Sequence, residues 1–277
     1  MQQITAALVQ QVIQPRPTES HKGTFGRVMV IGGNQQFGGA AIMSATAAVY
    51  GGAGLVTCAT DLFNATSLHA QLPEAMVLAA TDKAQMATLL PKMDVIVVGP
   101  GLGTDTWGQT VLQQVFQQVQ PQQVVIIDGS AIDLVASQGL TLPQAQLVLT
   151  PHQMEWQRLS GIAIADQQVA CNLAVQQQLQ ATLVLKSART QVYLPNGTVW
   201  ENTVGTPAMA TGGMGDTLTG VLAAFAAQFK PLDQAILAGV YTHSAIASEL
   251  AQQQYVVLPT QIARQLPFFM QEQARRG

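Results

Sequence analysis

The stretch from Gly205 to Gly220 reads Gly-Thr-Pro-Ala-Met-Ala-Thr-Gly-Gly-Met-Gly-Asp-Thr-Leu-Thr-Gly and runs from a loop into an apolar helical pattern. Glycines let backbone N–H groups converge on an anion at a helix N-terminus, where the macrodipole adds to the attraction and no lysine is required. Asp216 falls in the first turn of that helix, where a carboxylate can stand beside a phosphate and act as general base on a hydroxyl. The competing reading is an acidic residue that only complements the dipole. An isolated glycine-rich turn would favour that reading, and the length of this segment reverses the preference. Three further points follow apolar runs. Gly99-Pro100-Gly101-Leu102-Gly103 comes after Val95–Val98, and its glycines either admit a ligand close to the backbone or simply turn the chain. His152, after Thr150-Pro151, is a ligand contact or a hydrogen-bonded structural residue. Asp128 is a candidate to orient a metal-bound water or a loop amide. His21, His69 and His243 read as surface or helix-packing residues.

The elements that must position these residues are short Val-, Ile- and Leu-rich runs alternating with longer helical patterns, which argues for a mostly parallel sheet covered on both faces. The expected strands are Arg27–Ile31, Leu55–Ala59, Val95–Val98, Val124–Asp128, Leu147–Leu149 and Thr182–Lys186. A hairpin of Gln191–Leu194 and Thr198–Glu201 is expected around Pro195-Asn196-Gly197, because Asn-Gly tolerates the positive φ of a tight turn. Helical patterns cover Gly39–Tyr50, Trp107–Val119, Asp166–Leu179, Gly213–Phe229, Leu232–Gln252 and a short Thr260–Leu266 that Pro267 should end. In the second of these, Val111, Leu112, Val115, Phe116 and Val119 share one face opposite glutamines. The Gly/Pro clusters Gly99–Gly103 and Gly205–Gly215 each follow a strand and precede a helix, the place where open α/β sheets bind ligands.

With 277 residues, 48% hydrophobic and 10% charged, the chain suits a single domain over residues 1–277 with a large core. A net charge of −3 with 12 Lys and Arg leaves no electrostatic footprint for nucleic acid or an anionic membrane. A phosphorylated ligand must then be held mostly by backbone amides. Cys58 and Cys171 lie in apolar stretches without metal-ligand spacing, so both are expected as reduced core residues of a cytoplasmic protein. No apolar run reaches the roughly 18–20 residues of a membrane span, and Met1 to Gln14 lacks the pattern of a signal peptide.

The glycine-rich segment ending in Gly215-Asp216 resembles the ribokinase-like superfamily, in which a Gly-x-Gly-Asp element forms an anion hole and carries the catalytic aspartate. Further segments match in order the NAD(P)H-hydrate dehydratase family: Lys22-Gly23-Thr24-Phe25-Gly26-Arg27, Gly32-Gly33-Asn34, Phe37-Gly38-Gly39-Ala40-Ala41, Gly51-Gly52-Ala53-Gly54-Leu55-Val56, Gly99–Gly103, Leu149-Thr150-Pro151-His152 with Glu155, and Ala210-Thr211-Gly212-Gly213. The resemblance runs from about Lys22 to His243. It implies a three-layer α/β/α fold with a mostly parallel central sheet and helices on both faces. The implied enzyme removes water from the hydrated nicotinamide ring of NADH and NADPH at the expense of ADP or ATP. By the same resemblance, Ala40 or Ala41, Gly103, His152 and Asp216 contact the hydrated dinucleotide, and Asp216 is the catalytic base. Lys186, Ser187, Ala188, Arg189, Thr190, Gly213 and Gly215 contact the adenine nucleotide. Lys186 to Thr190 ends a strand and turns before the hairpin, so one nucleotide can span from it to the start of the Gly213 helix. Glu155 either helps bind Mg²⁺ through water or serves as an N-terminal helix charge.

Two departures bear on these expectations. The family commonly reads Asp-Ala-Asp-Ala-Leu where this chain has Asp128-Gly129-Ser130-Ala131-Ile132, so the second acidic position is lost. It reads Thr-Pro-His-Pro-Gly-Glu where this chain has Thr150-Pro151-His152-Gln153-Met154-Glu155, which keeps His152 and Glu155 but alters the loop. The epimerase domain fused in some relatives is expected as a separate protein, and the family together with the apolar composition suggests a homo-oligomer, a tetramer. The runner-up activity is an ATP-dependent kinase of a small alcohol of the hydroxyethylthiazole or vitamin-precursor type. A non-enzymatic nucleotide sensor is the third reading, and retention of Asp216 argues against it.

Overall fold

The computed structural model describes residues 1–276. Ten strands form one sheet: β1 Gln2–Gln3, β2 Arg27–Ile31, β3 Leu55–Thr60, β4 Met76–Ala79, β5 Val95–Val98, β6 Val124–Ile127, β7 Gln146–Leu149, β8 Thr182–Leu185, β9 Gln191–Tyr193 and β10 Val199–Glu201. The helices are α1 Ala6–Val12, α2 Gly38–Tyr50, α3 Ala65–Gln71, α4 Lys83–Leu89, α5 Thr106–Gln118, α6 Ser130–Gln138, α7 Gln153–Ser160, α8 Val169–Leu179, α9 Met214–Gln228, α10 Leu232–Leu250 and α11 Pro259–Arg276. Strand order is β1-β10-β9-β8-β7-β6-β5-β2-β3-β4. From β8 to β4 every neighbouring pair is parallel, and only the β8–β9–β10 turns run antiparallel.

The strands read as unbroken apolar runs because both faces of the sheet are covered. Alternation sends Met29, Ile31, Ile96, Val98, Val125 and Ile127 into one core with residues of α4 to α7, such as Leu112 and Trp156. Their neighbours Val28, Val30, Val97 and Ile126 enter a second core with α2, α9 and α10. A third cluster joins α1, α9, α10 and α11 outside that layer, around Val9, Phe225, Ile246 and Leu266. The layers are helix, sheet and helix, and the parallel order brings the carboxyl ends of β2, β5, β6, β7 and β8 to one edge.

Expectation and structure differ in two instructive places. Pro267 does not stop a helix: α11 continues through it to Arg276. Ile262, Ala263 and Leu266 before the proline and Phe269 after it are all buried in the third cluster, so packing on both sides outweighs the lost hydrogen bond and ring clash. Cys58 is buried as expected, but Cys171 is exposed. The most deeply buried positions of α8 are polar instead: Asn172 and Gln176 are fully buried, between Val169, Leu173 and Leu179, which pack against the core. The Asn172 carboxamide accepts from Trp156 Nε1 at 2.8 Å and donates to the Tyr193 hydroxyl at 3.0 Å, which turns the preceding cysteine outward. The hairpin forms as expected between β9 and β10, with Gly197 at φ 83° supplying its positive dihedral.

Candidate active site

Each expected strand end delivers a functional group to the same edge of the sheet. The turn after β2, Gly32-Gly33-Asn34, is bolted to the loop after β5: Gly33 N donates to Pro100 O and Asn34 N to Gly101 O, both at 2.8 Å. Asn64, buried beyond β3, donates through Nδ2 to Gly33 O at 2.8 Å and to Thr60 Oγ1 at 3.0 Å. Sequence reasoning gave Asn64 no role. Its position just past an apolar strand was the available signal. Gly101 has φ 61°, and a Cβ there would collide with the Phe37 carbonyl and lie 3.0 Å from Ala40 Cβ. The Gly99–Gly103 loop therefore presses directly on the start of α2. Of the two alanines considered, Ala40 is half-buried at that contact whereas Ala41 is fully buried in the core, so only Ala40 offers surface at this edge. Gly103, at φ 80°, faces the Asn34 carboxamide.

Next along the edge is a charged cluster. Lys186 follows β8 and pairs with His152 through an isolated parallel bridge, its N–H donating to Pro151 O at 2.8 Å. Its ammonium lies 2.8 Å from Asp128 Oδ1 and 3.9 Å from Glu155 Oε2. Asp128, buried just past β6, also accepts from Thr150 Oγ1 at 2.7 Å. Its partners are thus an ammonium and a hydroxyl, not a loop amide. Glu155 is buried and closes a capping box on α7: Oε2 accepts from His152 N at 2.7 Å, while His152 Nδ1 accepts from Met154 N and Glu155 N, each at 3.1 Å. The geometry shows the helix-charge reading of Glu155, and the carboxylate also faces Lys186. Burial alone would pull the Lys186 pKa down, but Asp128, Glu155 and Asp216 more than offset it and the ammonium is held above its ordinary range. Burial pushes the Glu155 carboxyl up, against the pull of Lys186.

Asp216 completes the cluster from the other side. Gly213 caps α9 at φ 90°, a conformation that costs an L side chain. A Cβ there would also strike the Met43 thioether on α2, one helical turn beyond Ala40. The first-turn amides of α9 have no carbonyl partner within the helix and are the anion donors expected there. A Cβ on Gly215 would lie 3.1 Å from Lys186 Nζ, so the ammonium stands at the mouth of those amides. Burial, then the charge of Asp128, raise the Asp216 carboxyl from 3.8 to about 6 despite the opposing attraction of Lys186. A carboxylate so tuned can accept a proton near neutral pH.

A cavity of about 480 Å³ opens beside this point, walled by Lys186, Ser187, Ala188, Thr190, Met214 and Gly215 and by the Val204–Ala210 loop and α10. Its size suits a nucleotide. Arg189 is exposed outside the lining, and its N–H donates to Ser187 Oγ at 3.2 Å; Gly213 and Asp216 also fall outside it. A larger cavity of about 820 Å³ lies at the opposite end of the sheet between α1, α2 and α11. It contains none of the groups at the strand ends, so the smaller one is the candidate site. Among the described residues, no three His, Cys, Asp or Glu side chains are grouped to hold a metal ion.

The sheet order, the two helical layers and the Gly-x-Gly-Asp helix start define a ribokinase-like α/β/α protein. A crystal structure of a ribokinase-like superfamily protein from Enterococcus faecalis superposes with TM-score 0.97 at 47% identity, covering 99% of this chain and 97% of that one. The ADP/ATP-dependent NAD(P)H-hydrate dehydratase of Bacillus subtilis, co-crystallised with ATP and Mg²⁺, superposes with TM-score 0.88 at 26% identity over 98% of each chain. A protein of Lactiplantibacillus plantarum named ADP-dependent (S)-NAD(P)H-hydrate dehydratase is 55% identical over 270 residues, 98% of this chain and 97% of its own length. The family model for NAD(P)H-hydrate dehydratase matches residues 28–268. The chain belongs to the NAD(P)H-hydrate dehydratase family.

Proposed function

We propose that the protein, working as one domain over residues 1–277, dehydrates the S epimer of hydrated NADH and NADPH, with ADP giving AMP and phosphate. The observation that carries this reading is the Asp216 carboxylate, raised to about 6 at the start of α9 beside the Lys186 ammonium. Hydroxide leaves poorly from the ring carbon beside the ring nitrogen, and phosphorylation makes it a good leaving group. Asp216 takes the ring hydroxyl proton as that oxygen attacks the terminal phosphorus, and AMP departs. The first-turn amides of α9, with Gly213 and Gly215 permitting close approach, and Lys186 stabilise the transferring phosphoryl group. The ring nitrogen lone pair then expels phosphate, a neighbouring C–H proton is lost, and the dihydropyridine is restored. Ala40, Gly103 and His152, whose side chain is 51% exposed, hold the hydrated dinucleotide. Lys186, Ser187, Ala188 and Thr190 hold the nucleotide.

Mg²⁺ fits this site only as an ion carried on the nucleotide, because Asp128 and Glu155 already pair with Lys186. Glu155 would hold it through water, and its contribution when bound is to neutralise phosphate charge. ADP is favoured as donor because full-length relatives carry that dependence in their names. We further place the protein in the cytoplasm as a homotetramer, with R-to-S epimerisation supplied by a separate protein; exposed Phe63, Tyr255 and Phe268 suit subunit contacts. The small-alcohol kinase is the weaker reading, since a stable phosphorylated product is foreign to the family the chain belongs to. The test incubates purified protein with hydrated NADH, Mg²⁺ and ADP or ATP, following nicotinamide absorbance and free phosphate together. Equal recovery of both supports the reading. A phosphorylated product without recovered absorbance overturns it in favour of the kinase.

A further inference from the structure

Asp128 sits just past β6 and is 3% exposed. A carboxylate buried to that degree gives up its hydration and needs close partners in exchange. Its Oδ1 takes two at once, Lys186 Nζ at 2.8 Å and Thr150 Oγ1 at 2.7 Å. The hydroxyl is itself held in place, because Thr150 is fully buried and its N–H donates to Ile127 O at 3.1 Å. Strands β6 and β7 are hydrogen-bonded neighbours, so the sheet fixes both side chains. Lys186, in contrast, has a choice of partners. Glu155 Oε2 lies 3.9 Å from the same ammonium, and Asp216 adds a third attraction. A lysine is a point charge on a flexible stem, so the strongest attractor decides where it stands. Asp128 is the nearest of the three carboxylates, and the place it dictates is 3.1 Å from where a Cβ on Gly215 would lie.

We propose that Asp128 is a positioning residue for phosphoryl transfer: with Thr150 behind it, it holds the Lys186 ammonium at the start of α9 and away from Glu155. This rests on the dehydratase reading given above. Asp128 acts through Lys186, and Lys186 acts on the transferring phosphoryl group. A charge already in place when the transition state forms stabilises it without reorganisation. Left to Glu155, the ammonium would settle at the first turn of α7, where Oε2 already accepts from His152 N at 2.7 Å.

The test measures steady-state kinetics with hydrated NADH and ADP for the wild type, Asp128→Asn, Lys186→Met and the double variant. Asparagine keeps the shape but not the charge, so Glu155 draws the ammonium. In Asp128→Asn, kcat should fall about 30-fold, with KM for hydrated NADH held within about twofold. In the Lys186→Met background the same change should cost less than about threefold, because groups that act as one unit are not additive. Equal losses in the two backgrounds would overturn the proposal, since a merely structural role is felt in both. A crystal structure of Asp128→Asn reads the position directly: Lys186 Nζ should have moved into hydrogen-bonding distance of Glu155, and an ammonium still held at residue 128 overturns the proposal. Where asparagine prevents folding, Thr150→Val removes only the hydroxyl behind Oδ1 and should lower kcat about threefold; an unchanged kcat overturns the proposal. An active wild type with an unaffected Asp128→Asn would overturn the positioning role and leave the dehydratase reading intact. A wild type that does not turn over hydrated NADH would overturn both.

Discussion

Replacing Asp216 with asparagine should make the protein more stable while stopping its reaction. The carboxyl is raised from 3.8 to about 6, first by burial and then by the charge of Asp128. Between those two values the folded state holds a proton that the unfolded chain has released, so stability falls as pH rises through that window. The penalty is absent below the unfolded pKa and complete above the folded one. A shift of about two units corresponds to about 3 kcal/mol at pH 8. Asp216 is only partly buried, so solvent screening reduces the expected figure to about 2 kcal/mol. Asparagine keeps the shape and removes the charge. Urea melts of nucleotide-free wild type and Asp216→Asn should therefore differ by about 2 kcal/mol in favour of the variant at pH 8, and the difference should shrink toward zero by pH 4. Turnover should fall by about 10² to 10⁴, with ADP affinity held within about threefold by the remaining amides and Lys186. An advantage that is absent at pH 8, or equal at both pH values, would refute the claim that a desolvated charge at this position is kept for chemistry.

Other perturbations read the same site from different sides. With ADP saturating, kcat should drop about tenfold per unit as pH falls below about 6, because Asp216 must be ionised to act as base; a profile still level at pH 5 counts against that role. Lys186→Met leaves the buried Asp128 without its counter-ion and should cost about 3–5 kcal/mol in denaturant melts. It also removes the charge that opposes protonation of Asp216, so any residual activity should show its acid limb at higher pH. Gly213→Ala should cost about 1–3 kcal/mol, because φ is 90° there and the new methyl meets Met43. Combining it with Met43→Ala should recover the steric part in thermal melts and leave the backbone strain; complete recovery would show that the dihedral costs nothing.

Strands β2, β5, β6, β7 and β8 were legible because burial on both faces leaves continuous apolar runs, and the turns after them were legible because they are rich in Gly, Pro and isolated polar residues. That much located the edge of the sheet that carries the candidate site. The pairing within that edge was not legible. Asp128, Glu155 and Lys186 come from three separate strand ends, and only the parallel order of β6, β7 and β8 brings them together. A charged residue directly after an apolar strand, in a chain with only 10% charged residues, was the signal Asp128 and Lys186 carried alone, while Glu155 lies three residues after His152 in the first turn of α7. Helices α3 and α4 escaped notice because each is seven residues long and buries a single side chain, Leu68 or Met86, too little for a periodic pattern. Strand β1 spans two glutamines and has no apolar signature.

That short strand has a consequence for how the chain is made. Gln2 and Gln3 pair in parallel with Trp200 and Glu201, Ile4 N donates to Glu201 O at 3.0 Å, and Val9 and Ile13 are buried beside α10 and α11. Their docking surface comes from the last third of the sequence. Roughly 200 residues separate the two partners, so at about 5–20 residues per second the first segment leaves the ribosome some 10–40 seconds before its neighbour exists. The parallel sheet can assemble during that interval, but its β10 edge is sealed only after the hairpin emerges. The Gln2–Ile13 segment is thus made long before its docking surface and is among the last to find its place.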